Sequence, residues 1–166
     1  MNEKAKQYIK KLKLQKHPEG GYYKEVYRSG EIILGEHLPK RFKSSRSLST
    51  SIYFLLVGMQ LSAFHLLQSD ELWHFYDGSD VIIYIINEKG KLSKRKIGKG
   101  DDCKFQITIE KNSWFATEIE NKNSFALVGC TVSPGFDFND FVIGKREELV
   151  NQFPNHRKLI EKLTHI

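Results

Sequence analysis

Between Phe64 and Gly78 the chain reads FHLLQSDELWHFYDG, which sets two histidines, three carboxylates and a tryptophan in one short segment. A turn that only reversed the chain would have no use for that polar content beside apolar runs. It points to a lined pocket holding a metal, an acid/base pair or a hydrogen-bonded core. A carboxylate carried into an apolar interior beside Trp73 is costly unless paired. Desolvation raises its pKa, which suits a general acid or base. A neighbouring histidine can relay a proton or ligate a metal. His65 and Glu71 are therefore the candidate catalytic pair, and the same two are the candidate metal ligands. The structural alternative is that they bond each other or the backbone and hold a hairpin together. Asp70 and Asp77 read as turn residues, whose side chains cap local backbone groups.

Strand parity divides this cargo. In a regular strand over Glu71 to Tyr76, Glu71, Trp73 and Phe75 share one face while Leu72, His74 and Tyr76 share the other. His65 lies in phase with Ala63 and Leu67 on the preceding run, so antiparallel pairing brings His65 and Glu71 together and turns His74 away. Only a bulge would change that phase.

The elements that must position these residues are mostly short β-runs. A helix is expected over residues 3 to 13, where Ala5, Tyr8, Ile9 and Leu12 recur at helical spacing with lysines opposite. His17-Pro18-Glu19-Gly20-Gly21 forms a turn, and a strand follows through Tyr22, Tyr23, Val26 and Tyr27. Gly30 to Ser51 is a long loop with short extended pieces. Runs over 51–57, 60–67, 71–76, 80–86, 92–97, 105–109, 113–119 and 124–132 are split by glycine and asparagine turns, a rhythm of a sandwich or barrel. A last strand is expected near Phe136 to Ile143, then helical segments over 146–153 and 155–163 divided by Pro154.

With 166 residues and no internal repeat or linker, the chain reads as one domain, 1–166. The amino-terminal stretch has no continuous apolar core, so neither a secretory signal nor a membrane anchor is expected, and no membrane partner. Cys103 and Cys130 do not make a disulfide framework and fit a reduced, cytoplasmic protein. The net charge of +6 raises nucleic acid as a partner. The basic residues are scattered over 4–16, 40–46 and 89–104, however, and no recognition motif accompanies them. A solvated surface is the better reading, with some steering of anionic ligands.

The blocks HPEGGYYKEVYRS (17–29), STSIYFLL (49–56), FHLLQSDELWHFYDG (64–78), NSWFA (112–116) and LVGCTVSPGFDFNDF (127–141), taken in order, resemble the small cupins of the cupin-5 or DUF985 group. The resemblance implies an all-β, double-stranded β-helix, a cupin jelly-roll barrel with short N-terminal and C-terminal helices. It also implies a ligand pocket inside the barrel and assembly as a homodimer. Metal-binding cupins use two histidines and a glutamate from a first motif and a histidine from a second. His65, Glu71 and Gly78 match the first motif, but its second histidine falls on Leu67. The second motif's histidine falls on Phe115. No cofactor is therefore expected with certainty, and only weak divalent-metal binding is left open.

The resemblance adds His17 and Glu19 at the barrel mouth, or as anchors of the first strand. It adds Arg28 as an anion partner through its bidentate fork, or as a surface ion pair. Trp114 or Phe115 supplies an apolar wall, and Trp73 a stacking platform or a buried core ring. Tyr53 and Tyr76 join Arg28 as candidate helpers for a developing oxyanion. His74 is kept as a ligand-binding candidate, and the turn at 133–138 shapes the rim. The functional expectation is a barrel that binds a small polar, sugar-like or anionic metabolite as an isomerase- or epimerase-like enzyme. The alternative is a non-catalytic small-molecule binder or sensor.

Overall fold

The computed structural model describes residues 2–165, so Met1 and Ile166, the ends of the expected 1–166 unit, lie outside it. Helix α1 (Glu3–Lys11) starts where the Asn2 side chain accepts from the Lys4 and Ala5 N–H groups, meeting two of the donors a helix leaves unpaired. It stops short of Lys13, whose φ of 53° no helix tolerates.

Two antiparallel sheets follow. The larger contains β1 (Gln15–Lys16), β2 (Tyr22–Arg28), β5 (Thr50–Val57), β7 (Asp70–Gly78), β10 (Gln106–Ile109) and β12 (Phe125–Ser133), in the spatial order β1-β2-β5-β12-β7-β10. The smaller contains β6 (Leu61–Leu67), β8 (Val81–Ile86), β9 (Leu92–Ile97), β11 (Trp114–Ile119) and β13 (Phe141–Ile143), in the order β13-β6-β11-β8-β9. A separate two-stranded ribbon, β3 (Ile32–Ile33) with β4 (Arg46–Ser47), interrupts the long loop. Helices α2 (Arg146–Gln152) and α3 (Arg157–Lys162) close the chain, parted by a 3-10 turn over Pro154–His156.

The expected closed barrel is not what forms. The domain is all-β with short terminal helices, but among the described residues no sheet closes on itself and no ladder joins one sheet to the other. The edges explain it. β1 spans two residues, β13 three and β10 four, so three of the four edge strands end before a seam could be hydrogen-bonded. Between β9 and the approach to β10 only an isolated bridge, Ile97 with Lys104, is made.

A second correction falls on 136–143, expected as one strand. It contains a 3-10 turn, Phe138–Asp140, and only Phe141–Ile143 forms a strand. Asp137 caps the turn by accepting from the Asn139 N–H. The Asp140 carboxylate accepts from Arg46 Nε and Nη2, both at 2.6 Å. Local carboxylate bonding outcompetes the ladder there.

Alternation along the strands sorts side chains into three apolar layers. Leu55, Phe125 and Leu127 leave the outer face of the larger sheet to pack beneath α1 with Ala5. Phe64, Ala116 and Trp114 leave the smaller sheet on its outer side and meet Leu149, Val150 and Ile160 of α2 and α3. Phe54, Trp73, Ile83, Ile97, Phe115 and Ile119 fill the space between the sheets. One end of that space is left hollow.

Candidate functional site

The hollow end is a cavity of about 450 Å³, within the size range of small-molecule sites. It lies where β5, β7 and β12 of the larger sheet and β6 and β13 of the smaller one bring together Thr50, Glu71, Val132, His65 and Phe141. The 17–28 segment and the 136–138 turn form its mouth.

Parity on β7 is undisturbed where it matters. Glu71, Trp73 and Phe75 are buried on the inner face, and the irregularity in the β7–β12 ladder falls at Tyr76, beyond them. Glu71 and His65 therefore line one cavity. His74 points outward and lies 3.3 Å from Thr131 Oγ1.

The turn at 17–21 carries the other pair of ionisable groups. Gly20 adopts φ +114° and Gly21 φ +72°. A Cβ on Gly20 would collide with the Leu61 carbonyl, and one on Gly21 would sit 2.7 Å from the Leu55 carbonyl. That close approach needs glycine. It presses the turn against the sheets, where the Glu19 carbonyl accepts from the Ala63 N–H at 2.8 Å. The Glu19 side chain is buried, with Oε1 accepting from Ser62 Oγ at 2.8 Å. Its Oε2 lies 3.3 Å from His65 Nε2 and 3.5 Å from His17 Nδ1.

Hydrogen-bond chemistry fixes the proton between Glu19 and His65. His65 Nδ1 is 2.8 Å from the Ala63 carbonyl, which only accepts, so Nδ1 carries the ring proton. Nε2 of the neutral ring is then an acceptor facing Glu19 Oε2. Two acceptors would repel, so with the ring kept neutral by burial the carboxyl holds the proton. Burial agrees with this assignment. Desolvation, with Glu71 nearby, raises the Glu19 pKa well above the usual carboxylate range. It pushes His65 down to about 3 and His17 down to about 4. Both histidines are neutral in the folded chain at pH 7.

Desolvation also pushes Glu71 up to about 7, opposed in part by Trp73 and Cys130 beside it. Neither neighbour satisfies it: Glu71 Oε2 and Trp73 Nε1 are both enclosed without a partner in hydrogen-bonding geometry. Aromatic rings complete the walls. The His17 ring meets Tyr23 edge-on at 4.6 Å between centroids, and Phe136, Phe138 and Phe141 pack on one another at 5.0–6.1 Å.

Of the residues singled out in the sequence, His17, Glu19, Arg28, His65, Glu71 and Trp73 line the cavity. Arg28 reaches the mouth with its fork already engaged, Nε and Nη2 donating to the two Glu25 oxygens at 2.9 and 2.7 Å. Phe115 lies behind the cavity, its ring 4.0 Å from that of His65. Trp114 faces the terminal helices. Tyr53 and Tyr76 pair at 6.0 Å in a shallow groove beside α1, on the opposite side of the larger sheet.

Tyr23, Phe54, Cys130 and Phe141 line the cavity without having been singled out as site residues, while Phe136 and Phe138 belong to the 133–138 turn expected at the rim. Strand parity held the signal for two of them. Phe54 and Cys130 lie in phase with Ile52 and Val132 on their strands, and all four face inward. Phe141 could not be found that way, because a turn precedes it.

A two-sheet β-fold with an aromatic, ionisable cavity at one end is the class these features define. The chain belongs to the cupin superfamily, in the Cupin_5 (DUF985) family, whose model matches residues 6–144. Among solved structures it is similar to a protein from Shewanella oneidensis at 36% identity and a TM-score of 0.87, covering 97% of each chain. It is similar to a hypothetical protein from Leishmania major at 29% identity and a TM-score of 0.87, covering 98% of this chain and 99% of that one. Oxalate decarboxylase from Bacillus subtilis shares only the fold, at 15% identity and a TM-score of 0.54 over 89% of this chain and 36% of that one. No curated protein matches the chain.

Metal-binding cupins raise the question of a resident metal, and the donor set does not fit one. Among the described residues no three of His, Cys, Asp and Glu are arranged to hold an ion. His65 directs its free lone pair at Glu19 Oε2. Leu67 and Phe115 occupy the positions of two further ligands, with the Phe115 ring packed against His65. Among the described residues, no helix is long and apolar enough to cross a membrane.

Proposed function

We propose that the chain is a small-molecule binding protein whose ligand enters the cavity between the two sheets. One observation carries this reading. Glu19, Glu71, His17 and His65 line a cavity of about 450 Å³ that opens between the two sheets. A purely structural polar cluster would be packed tight, because protein interiors tolerate few voids larger than a water molecule. Calorimetric titration with benzyl alcohol, benzylamine, benzoate, methyl α-glucoside and myo-inositol tests it. Saturable one-to-one binding of at least one probe is expected, lost in Leu67→Trp, whose indole fills the cavity. No binding by any probe, or equal binding by Leu67→Trp, overturns it.

A catalytic reading is favoured by Glu71 alone. A cavity carboxyl whose pKa is about 7 is suited to exchange a proton next to a substrate carbonyl, as an isomerase or epimerase requires. Solvent isotope exchange into a bound sugar-like carbonyl compound, abolished in Glu71→Gln, would support it. Full exchange in that variant removes it.

Homodimer assembly belongs to the same proposal. β1 covers β2 only at Tyr22 and Tyr23, and Val26, Tyr27, Ile32 and Leu34 expose about half their surface or more nearby. Sedimentation should show a dimer that Tyr27→Lys weakens, and a monomeric wild-type chain rejects it. A cytoplasmic location is proposed on the two free cysteines.

A further inference from the structure

We infer that the cavity selects an organic cation, an ammonium or amidinium group on a small body, over an anion or a neutral polyol. This rests on the binding reading above and names the ligand class for the same site.

The groups deep in the cavity are acidic and have no cationic partner. Deep inside stand two carboxyl groups, Glu19 from the turn and Glu71 from β7, and neither pairs with a lysine or arginine. Their neighbours are His17, His65 and the Cys130 thiol. Neither ring is a cation here: burial keeps both neutral at pH 6, and the Glu19 N–H donates to His17 Nδ1 at 3.4 Å. At the mouth Glu25 and Asp137 add two more carboxylates against Arg28 and Lys24. Glu25 occupies the Nε–Nη2 edge of the Arg28 guanidinium, and Nη2 also donates to the Phe136 carbonyl at 3.1 Å. Lys24, exposed on the rim, forms no ion pair among the described residues.

A second observation points to a ligand independently of the acidic count. Glu71 retains 6% of its surface and Trp73 1%, both line the cavity, and Glu71 Oε2 and Trp73 Nε1 have no partner. A buried acceptor left without a donor is rare. Once Glu71 gives up its proton, an N–H-bearing cation beside it would supply the donor its carboxylate lacks. Aromatic faces reinforce the choice. Phe136, Phe138 and Phe141 ring the mouth and Tyr23, Phe54 and Trp73 the wall, and ring faces attract ammonium and guanidinium groups. A carboxylate or phosphate would meet Lys24 and Arg28 only at the mouth, with no cation deeper in the cavity and ring faces that favour positive charge.

Docking moves one proton. The protonated Glu71 carboxyl releases its proton to buffer as the ammonium, keeping its own three, pairs with the carboxylate that remains.

The test compares three probes of one shape: benzylamine, benzyl alcohol and benzoate, titrated at pH 6 in two buffers of different ionisation enthalpy. Benzylamine should bind at least about tenfold more tightly than either other probe, in keeping with a paired cation on aromatic faces. Its heat should differ between buffers by the equivalent of up to one proton released. Glu71→Gln, close in shape, should bring benzylamine within about threefold of benzyl alcohol and abolish the buffer dependence. Phe138→Ala, a change at a half-exposed side chain, should weaken benzylamine more than benzyl alcohol. Benzoate or benzyl alcohol binding as tightly as benzylamine, with Leu67→Trp still blocking it, overturns the cation inference and leaves the binding reading standing. If no probe binds the wild-type protein, both fall.

Discussion

The two ends of the space between the sheets are built on the same strands and differ in almost everything else. At one end Val81, Ile83, Ile97 and Ile119 are fully buried against Leu56 and Ala126. At the other, Glu71, His65, Cys130 and Val132 stand around a void, closed over by the 17–21 turn and the aromatic rim. Phe54, Trp73 and Phe115 lie between, their rings meeting edge-on at 5.8 and 6.2 Å. The solid end is built mostly of branched aliphatic side chains that interdigitate, although Thr117 Oγ1 is buried beside Ile83 without a partner. The hollow end uses side chains that must satisfy hydrogen bonds. Its unmet groups are Glu71 Oε2, beside the void, and Trp73 Nε1, on the partition. Stability is concentrated at one end and recognition at the other.

Substitutions should break this contrast in order of size. Ile83→Ala, which opens a cavity at the solid end, is expected to lower unfolding free energy by about 2–5 kcal/mol while leaving probe binding unchanged. Equilibrium denaturation measures it. Loss of binding with retained stability would mean that the ends are not separable.

The next effect depends on pH. Below 4.5, the ordinary value, Glu71 is protonated in both folded and unfolded chains. As pH rises from 4.5 to about 7, the unfolded chain gives up this proton and the folded one keeps it, so stability falls. Glu71→Gln removes the penalty. The variant should gain on the wild type progressively through that window, reaching about 3 kcal/mol above pH 8. A difference that stays flat with pH would show that Glu71 is not desolvated. His17 and His65 act in the opposite direction. With pKa values lowered from 6.5 to about 4 and about 3, they bind fewer protons folded than unfolded below pH 6.5, and stability is lost as pH falls from 6.5 toward 3. His65→Gln should blunt that acid-side fall in a urea titration series.

Changes on the outer face of β7 should be smallest. His74→Ala and Tyr76→Ala lie across the sheet from the cavity and are expected to leave probe binding unaltered, with His74→Ala within about 1 kcal/mol of wild type. A binding defect in either would move the site to the groove beside α1.

Period-two patterning made much of this visible in advance. It placed Glu71 and Trp73 inward and His74 outward, and the β7 ladder keeps that phase through Phe75. It could not tell an open pair of sheets from a closed barrel, because closure depends on whether edge strands reach one another and not on which way their side chains face. β1 and β13 are too short to do so. The 136–143 segment was illegible for a related reason. Arg46, distant in sequence, holds Asp140 and fixes a turn that no local pattern announces. Glu19 stood out as a polar residue beside a glycine pair, but its place between His17 and His65 arises only when the turn folds against β6.

The two tryptophans report the two environments directly. Trp73 borders the hollow end and Trp114 lies beneath the terminal helices. In nitrogen-15-labelled protein titrated with benzylamine and with benzyl alcohol, the Trp73 indole N–H resonance should shift saturably while that of Trp114 stays in place. A shift confined to Trp114, or no shift in either with both probes, would contradict a ligand site at the hollow end of the sheets.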